Sequence, residues 1–152
     1  SDEFSRIRLD LVVNILVTKA LTEGKLTVFG GEQWRPLLHV NDVANAINHT
    51  LEDGVTGIFN LHYKNFKIID IANEIIQKVP SAIIETTPMK FQDARNYQVS
   101  SEKLFNNTGF KAEVDLKSGI QEVFDLISNN RIKDVNHIRY SNQNYLKKYG
   151  IE

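Results

Sequence analysis

The sequence predicts an α/β fold in which short strands alternate with about five helices. Three observations carry that expectation. Several stretches repeat apolar residues at the i, i+3, i+4, i+7 spacing of a helix buried along one side. Short β-branched and aromatic runs lie between them. Glycine or proline stands at most of the junctions. No segment repeats and no low-complexity linker divides the 152 residues, so residues 1–130 read as one structural unit and 131–152 as a polar tail.

The first helix is expected over 7–23, with Leu9, Val12, Leu16 and Ala20 on its inner side and Gly24 placed to stop it. Asp10, Asn14, Thr18 and Thr22 recur every four residues and read as a solvated edge, or, for Asn14, as a position facing a ligand cleft. Leu26–Phe29 reads as a strand bounded by glycines, and Pro36–Val40 as a second extended piece. Asn41 or Asp42 is placed to cap a helix whose core face would be Val43, Ala44, Ile47 and Leu51, ended by Gly54. Ile58–His62 reads as a strand apolar enough for burial on both faces. A helix over 67–79 stops at Pro80, and Ala82–Thr86 is a strand ended by Pro88. The segment MKFQDARNYQ has no period and reads as a loop. A short helix from Ser100 or Ser101 closes before Gly109. The last strongly patterned helix starts at an Asp115 cap and buries Leu116, Ile120, Val123, Phe124 and Ile127. After Asn129 the chain should form a loosely attached tail or a short terminal helix.

Composition excludes several functions. Lys and Arg number 18 against 19 Asp and Glu, a net charge of −1, without the basic excess of a nucleic-acid binder. There is no cysteine, which removes disulfides, thiolate zinc ligands and thiol catalysis. No apolar run reaches the roughly 18 residues of a membrane helix, and the polar start is no signal peptide. A cytoplasmic protein without a membrane partner is the expectation. Met89 is the only methionine, and the sequence reads equally well as a piece of a longer protein.

There is no G-x-G-x-x-G and no P-loop, so the chain encodes no cradle for a dinucleotide or a nucleoside triphosphate. His39, His49, His62 and His137 are scattered singly, without metal-site spacing. His39, ending an extended segment, is expected to bond the backbone. Tyr63 and Lys67 have the Y-x-x-x-K spacing of a catalytic pair. That chemistry needs both on one helical face, whereas Tyr63 should end a strand and Lys67 open a helix. Arg35, after a glycine turn, and Arg95, in the aperiodic loop, are set where a guanidinium can present its fork to a phosphate. By residue type alone, each is more often a surface or ion-pair arginine.

The order of the segments carries a resemblance. RIRLDLVVN (6–14), ALTEGKLTVFGG (20–31) and WRPLLHVNDVANAI (34–47) resemble the extended short-chain dehydrogenase/reductase (SDR) family, the NAD-dependent nucleotide-sugar epimerases and dehydratases. The likeness continues through GIFNL (57–61), IIDIANEI (68–75), DARNYQVSSEKL (93–104) and LKSGIQEV (116–123), covering about residues 5–130. In that family this stretch is the substrate-binding C-terminal part of a Rossmann-type protein. The resemblance therefore implies that catalytic and cofactor-binding residues, and NAD or NADP itself, belong to a missing N-terminal Rossmann half. It implies no catalytic, cofactor or metal residue in this chain, which alone would be inactive. It places Val13, Asn14, Phe29, Arg35 and Arg95 on a nucleotide-diphosphate sugar, with the two arginines at the pyrophosphate. Gly119 matches a helix-start glycine with a packing role. The cut sheet would also invite a second copy, giving a homodimer. Two other functions compete: a non-catalytic module binding a nucleotide sugar or a partner, and an SDR-type reductase of a non-nucleotide substrate, in which Arg95 would lose its purpose. A glycine-rich loop and a helical Y-x-x-x-K encoded upstream of Ser1 would separate the enzyme from the module.

Overall fold

Apolar periodicity and glycine stops build a three-helix framework around a short parallel sheet. It is described here from a computed structural model that covers residues 6–52, 54–88 and 95–150. Helix α1 (Val12–Glu23) ends at Gly24, whose φ of +66° is the left-handed stop expected of it. Strand β1 (Lys25–Phe29) pairs in parallel with β4 (Ile83–Thr87), Lys25 opposite Ile83 and Phe29 opposite Thr87. Between them come β2 (Trp34–Leu37), α2 (Val40–Glu52), β3 (Lys64–Lys67) and α3 (Ile68–Lys78). β2 and β3 form a separate antiparallel pair. Then follow α4 (Glu102–Thr108), α5 (Leu116–Ser128), a 3-10 turn (Ile138–Tyr140) and α6 (Asn142–Tyr149). The α/β class holds, with six α-helices among the described residues.

The core sits where α1, α3 and α5 meet β1. Val17, Leu26, Val28, Ile71, Ile75 and Ile120 are its largest fully buried members. Leu16 and Ala20 of α1 and Ile120 and Val123 of α5 are buried as expected, and α3 adds Ile71, an inner residue that sequence reasoning did not name. Asp115 caps α5 by accepting the Ser118 N–H at 2.8 Å. Gly109 ends α4 in the left-handed region.

Four expectations are corrected. Helix α1 begins at Val12 and not at residue 7: residues 9–10 form a turn, and the Leu9 N–H donates to the Tyr140 carbonyl. The polar stripe of α1 is a solvated edge only at its end: Thr22 is exposed, Asp10 and Asn14 are partly buried, and Thr18 is buried with its hydroxyl bonding back to the Asn14 carbonyl at 2.7 Å.

Residues 58–62 form no strand, while 64–67 do. Side chains take the place of ladder partners along 58–62. Lys103 Nζ donates to the Ile58 carbonyl at 2.9 Å, and the His62 N–H donates to Ser101 Oγ at 2.8 Å.

The fourth correction concerns α2. It starts at Val40, and His39 caps it, its carbonyl accepting from Val43 and its Nδ1 from the Asn41 N–H. Asp42 and Ala46 are its buried residues, whereas Val43, Ile47 and Leu51, named as its core face, are exposed together with Val40. The carboxylate of Asp42 faces inward because two backbone N–H groups, of Glu113 and Val114, need it, at 3.2 and 3.0 Å. That interaction orients the helix against its own hydrophobic pattern.

The stretch after Asn130 docks back on the start of the chain. Leu9 donates to the Tyr140 carbonyl at 2.9 Å, and Asn142 N–H donates to Asp10 Oδ2 at 2.9 Å.

Candidate functional site

The turn between β1 and β2 aims the first candidate arginine. Gly31 has φ +110°, a conformation open to glycine and strained for other residues. Gln33, buried in the turn, accepts the Gly31 N–H at 2.8 Å and donates to the Phe29 carbonyl at 2.7 Å. Ile68 and Ile69 N–H groups bond the Gln33 and Gly31 carbonyls, so α3 clamps the same turn. Sequence reasoning passed over Gln33. Its signal was a polar residue with both a donor and an acceptor, two positions after a glycine pair.

The turn delivers Arg35 into β2, where it is 7% exposed. Its Nη1 donates to the Trp34 carbonyl at 2.7 Å and also to the carbonyl of Arg95. The guanidinium lies 5.8 Å from the Tyr97 ring centroid, a cation–π distance. Trp34 N–H donates to Asn96 Oδ1 at 2.9 Å. The structure therefore brings Arg35 and the 95–97 segment together, through a side chain on a backbone and not as two parallel forks. Residues 89–94 of that loop lie outside the described residues. Phe29 is partly exposed at the end of β1. Asn14 and Val13, partly buried on α1, are joined to neither arginine by a described hydrogen bond; the Asn14 amide donates to the Arg8 carbonyl at 2.7 Å.

A second cluster joins β3 to α4. Asn65 pairs with Val99 like a strand neighbour, donating to its carbonyl at 2.9 Å and accepting its N–H at 3.0 Å. This fixes the amide, whose nitrogen also lies 3.3 Å from His62 Nε2. Nε2 is then the acceptor, and His62 Nδ1–H donates to Ser101 Oγ at 2.6 Å. A serine nucleophile needs a bare ring nitrogen facing its hydroxyl. Here the polarity is reversed, so Ser, His and Asn form a latch and not a hydrolytic triad.

Burial lowers the His62 pKa below the ordinary histidine value of 6.5. The unfolded chain then binds more protons than the folded one across that interval. The stability contribution is complete above pH 6.5 and declines as the pH falls through the lowered value. Denaturant midpoints measured from pH 7 to pH 5 should fall, and His62→Gln should flatten that slope. An unchanged slope would show that the ring is equally protonated in both states.

Tyr63 and Lys67 do not share a helical face. Tyr63 precedes β3 and Lys67 closes it, an interval of about 13 Å along a strand. The Lys67 ammonium pairs with Glu32 at 2.7 Å. His39, besides capping α2, lies 3.2 Å from Glu122, and His49 lies 2.7 Å from the Thr108 carbonyl. Among the described residues no group of three His, Cys, Asp or Glu side chains could hold a metal ion. No described helix is long and apolar enough to cross a membrane.

Comparison with known proteins places this geometry. Residues 6–62 match the NAD dependent epimerase/dehydratase family. That span holds α1, the keyed turn, Arg35 and α2. The fold is similar to that of the Bordetella bronchiseptica enzyme WbmF in complex with NADH, at 26% identity over 92% of this chain and a TM-score of 0.67. It is similar to dTDP-glucose 4,6-dehydratase from Bacillus anthracis in complex with NAD, at 24% identity over 81% of this chain and a TM-score of 0.65. It is also similar to MoeE5 in complex with UDP-glucuronic acid and NAD, at 18% identity over 81% and a TM-score of 0.67. The chain spans 43%, 40% and 43% of those three proteins. The short parallel strands and flanking helices are thus part of a Rossmann-like architecture. The Gly30–Gly31 turn leads from one strand to another, whereas the Rossmann dinucleotide cradle is a strand-to-helix turn.

Proposed function

We propose that this chain is the nucleotide-sugar-binding part of an NAD-dependent sugar epimerase or dehydratase, with NAD or NADP and the catalytic groups carried by a Rossmann half outside it. The observation that carries the reading is the coincidence of the matched family span with the Gln33-keyed turn, which delivers Arg35 to the 95–97 segment. Arg35 organises that segment, and Arg95, on its exposed side, supplies the guanidinium fork for a diphosphate. Phe29, Val13 and Asn14 line the nucleotide, one amide hydrogen of Asn14 being already committed to Arg8. The chain is cytoplasmic in this reading, its partner is neither nucleic acid nor membrane, and alone it performs no redox chemistry.

Titration calorimetry with UDP-glucuronic acid and dTDP-glucose tests this. Arg95→Ala should weaken binding of the accepted sugar nucleotide at least tenfold, about 1.4 kcal/mol, and NAD should give no heat with the chain alone. Equal binding by Arg95→Ala, or stoichiometric micromolar NAD binding, would overturn the reading.

The exposed stripe of α2 fits the same proposal. Val40, Val43, Ile47 and Leu51 stand 71%, 37%, 53% and 74% exposed, an apolar helix face of the kind that marks an interaction surface. The uncovered share of the similar proteins supplies its occupant, the Rossmann half, with a second copy as the competing one. Val43→Asp with Ile47→Asp should leave the stability of the 152-residue chain within about 0.5 kcal/mol of the original. A loss above about 1 kcal/mol would show that the chain already buries this face.

A further inference from the structure

Residues 131–152 carry no assigned role, yet their described part is bonded to one corner of the molecule. Asp10 accepts twice: from Arg8 Nε at 2.9 Å through Oδ1, and from the Asn142 N–H at 2.9 Å through Oδ2. The second bond gives α6 a carboxylate at its first turn, where an unpaired N–H and the positive end of the helix dipole favour it. Ser141 caps the same helix from within, accepting the Asn144 N–H. Leu9 N–H bonds the Tyr140 carbonyl, and Leu9 itself is buried. Arg6 donates to Asn142 Oδ1 and lies 5.8 Å from the Tyr145 ring centroid. On the other side of this corner, the Arg8 carbonyl receives the Asn14 amide. The contacts run without a break from α6 through Asp10, Leu9 and Arg8 to Asn14.

We infer that residues 131–150 are a strap that holds the Arg8–Asn14 corner in place, with Asp10 as the positioning residue through which the tail sets the Asn14 amide for a nucleotide sugar. The corner needs such a support. Leu11, the residue before α1, makes no side-chain cap, and residues 6–11 belong to no helix or strand. The ligand in this inference rests on the function proposed above; the mechanical coupling does not.

Asn142→Pro separates the two. Proline suits the first position of a helix, so α6 persists, but the N–H that Asp10 accepts is gone. Hydrogen exchange should then speed at least tenfold at the Leu9 amide and rise across residues 11–15, while the amide of buried Val28 stays protected. Asp10→Ala should reproduce the effect, and Asp10→Asn, which keeps an acceptor oxygen, should restore most of the protection. UDP-glucuronic acid should bind at least fivefold more weakly to Asn142→Pro and Asp10→Ala. Unchanged exchange at residues 9–15 in both variants would overturn the strap. Faster exchange accompanied by unchanged binding would overturn the other half of the inference, that the tail sets the Asn14 amide for the ligand. Absence of binding in the unsubstituted chain would instead remove the nucleotide-sugar reading and leave the strap to be decided by exchange alone.

Discussion

Asp42→Ala is expected to cost about 3 kcal/mol of folding stability. The carboxylate is 2% exposed and accepts two backbone N–H groups, from Glu113 and Val114. Alanine leaves both donors without that partner in a part-buried setting, at about 1–3 kcal/mol each. Part of that is recovered because a desolvated carboxylate is removed with it. For a chain of this size the result is a fall of roughly 10 °C in thermal midpoint. Asp42→Asn retains one acceptor oxygen and turns an amide N–H toward the other donor, so it should cost less than alanine without reaching neutrality. Urea unfolding of the three proteins measures this directly. A loss under about 1 kcal/mol for alanine would mean that the 113–114 segment rehydrates freely and that α2 is oriented by something other than Asp42.

Gly31→Ala should be of similar size, about 2–4 kcal/mol, for a different reason. Its φ of +110° strains any residue with a Cβ, at about 1–3 kcal/mol. The added carbon would also stand 3.3 Å from both Ile69 Cβ and Val28 Cγ1. A Cβ is fixed to its backbone, so Ile69 cannot swing aside, and α3 or the turn must shift. Gly24→Ala is the control. Its φ of +66° carries the left-handed penalty, but nothing lies within 4 Å of the new carbon, so about 1 kcal/mol is expected. Because the Gly31 turn aims Arg35, its alanine variant should also weaken sugar-nucleotide binding, which Gly24→Ala should leave intact. Equal losses in the two variants would show that the close approach to Ile69 is relieved without cost.

Legibility in the sequence followed the source of the interaction. α3 and α5 were readable because their apolar spacing and stops, with the Asp115 cap of α5, are local. The α2 period was also readable, but a period states that a face is apolar and not which neighbour covers it. One buried carboxylate, whose partners lie some seventy residues away, decided the outcome. Residues 58–62 have strand composition, yet their backbone is answered by Lys103 and Ser101, which no local pattern announces. Arg35 and Arg95 were picked out by their setting, and the structure joins Arg35 to the Arg95 backbone. The Gln33 key, the His62 latch and the Asp10 tether were missed because each depends on a single polar side chain meeting a distant or turn backbone.

The parallel pairing of β1 with β4 also bears on how the chain folds. Residues 25 and 83 are partners, so the strands meet only after α2, β3 and α3 have been gathered between them. Closing a loop of that length costs about 3 kcal/mol more chain entropy than closing a two-residue hairpin. Helices α1 and α3 are held by local backbone bonds and pack their apolar faces against β1. The zipping of β4 onto β1 is therefore expected among the later steps of folding. Until it occurs, the β1 edge that β4 covers stands open, and an open edge of this kind is where a newly made chain is prone to aggregate.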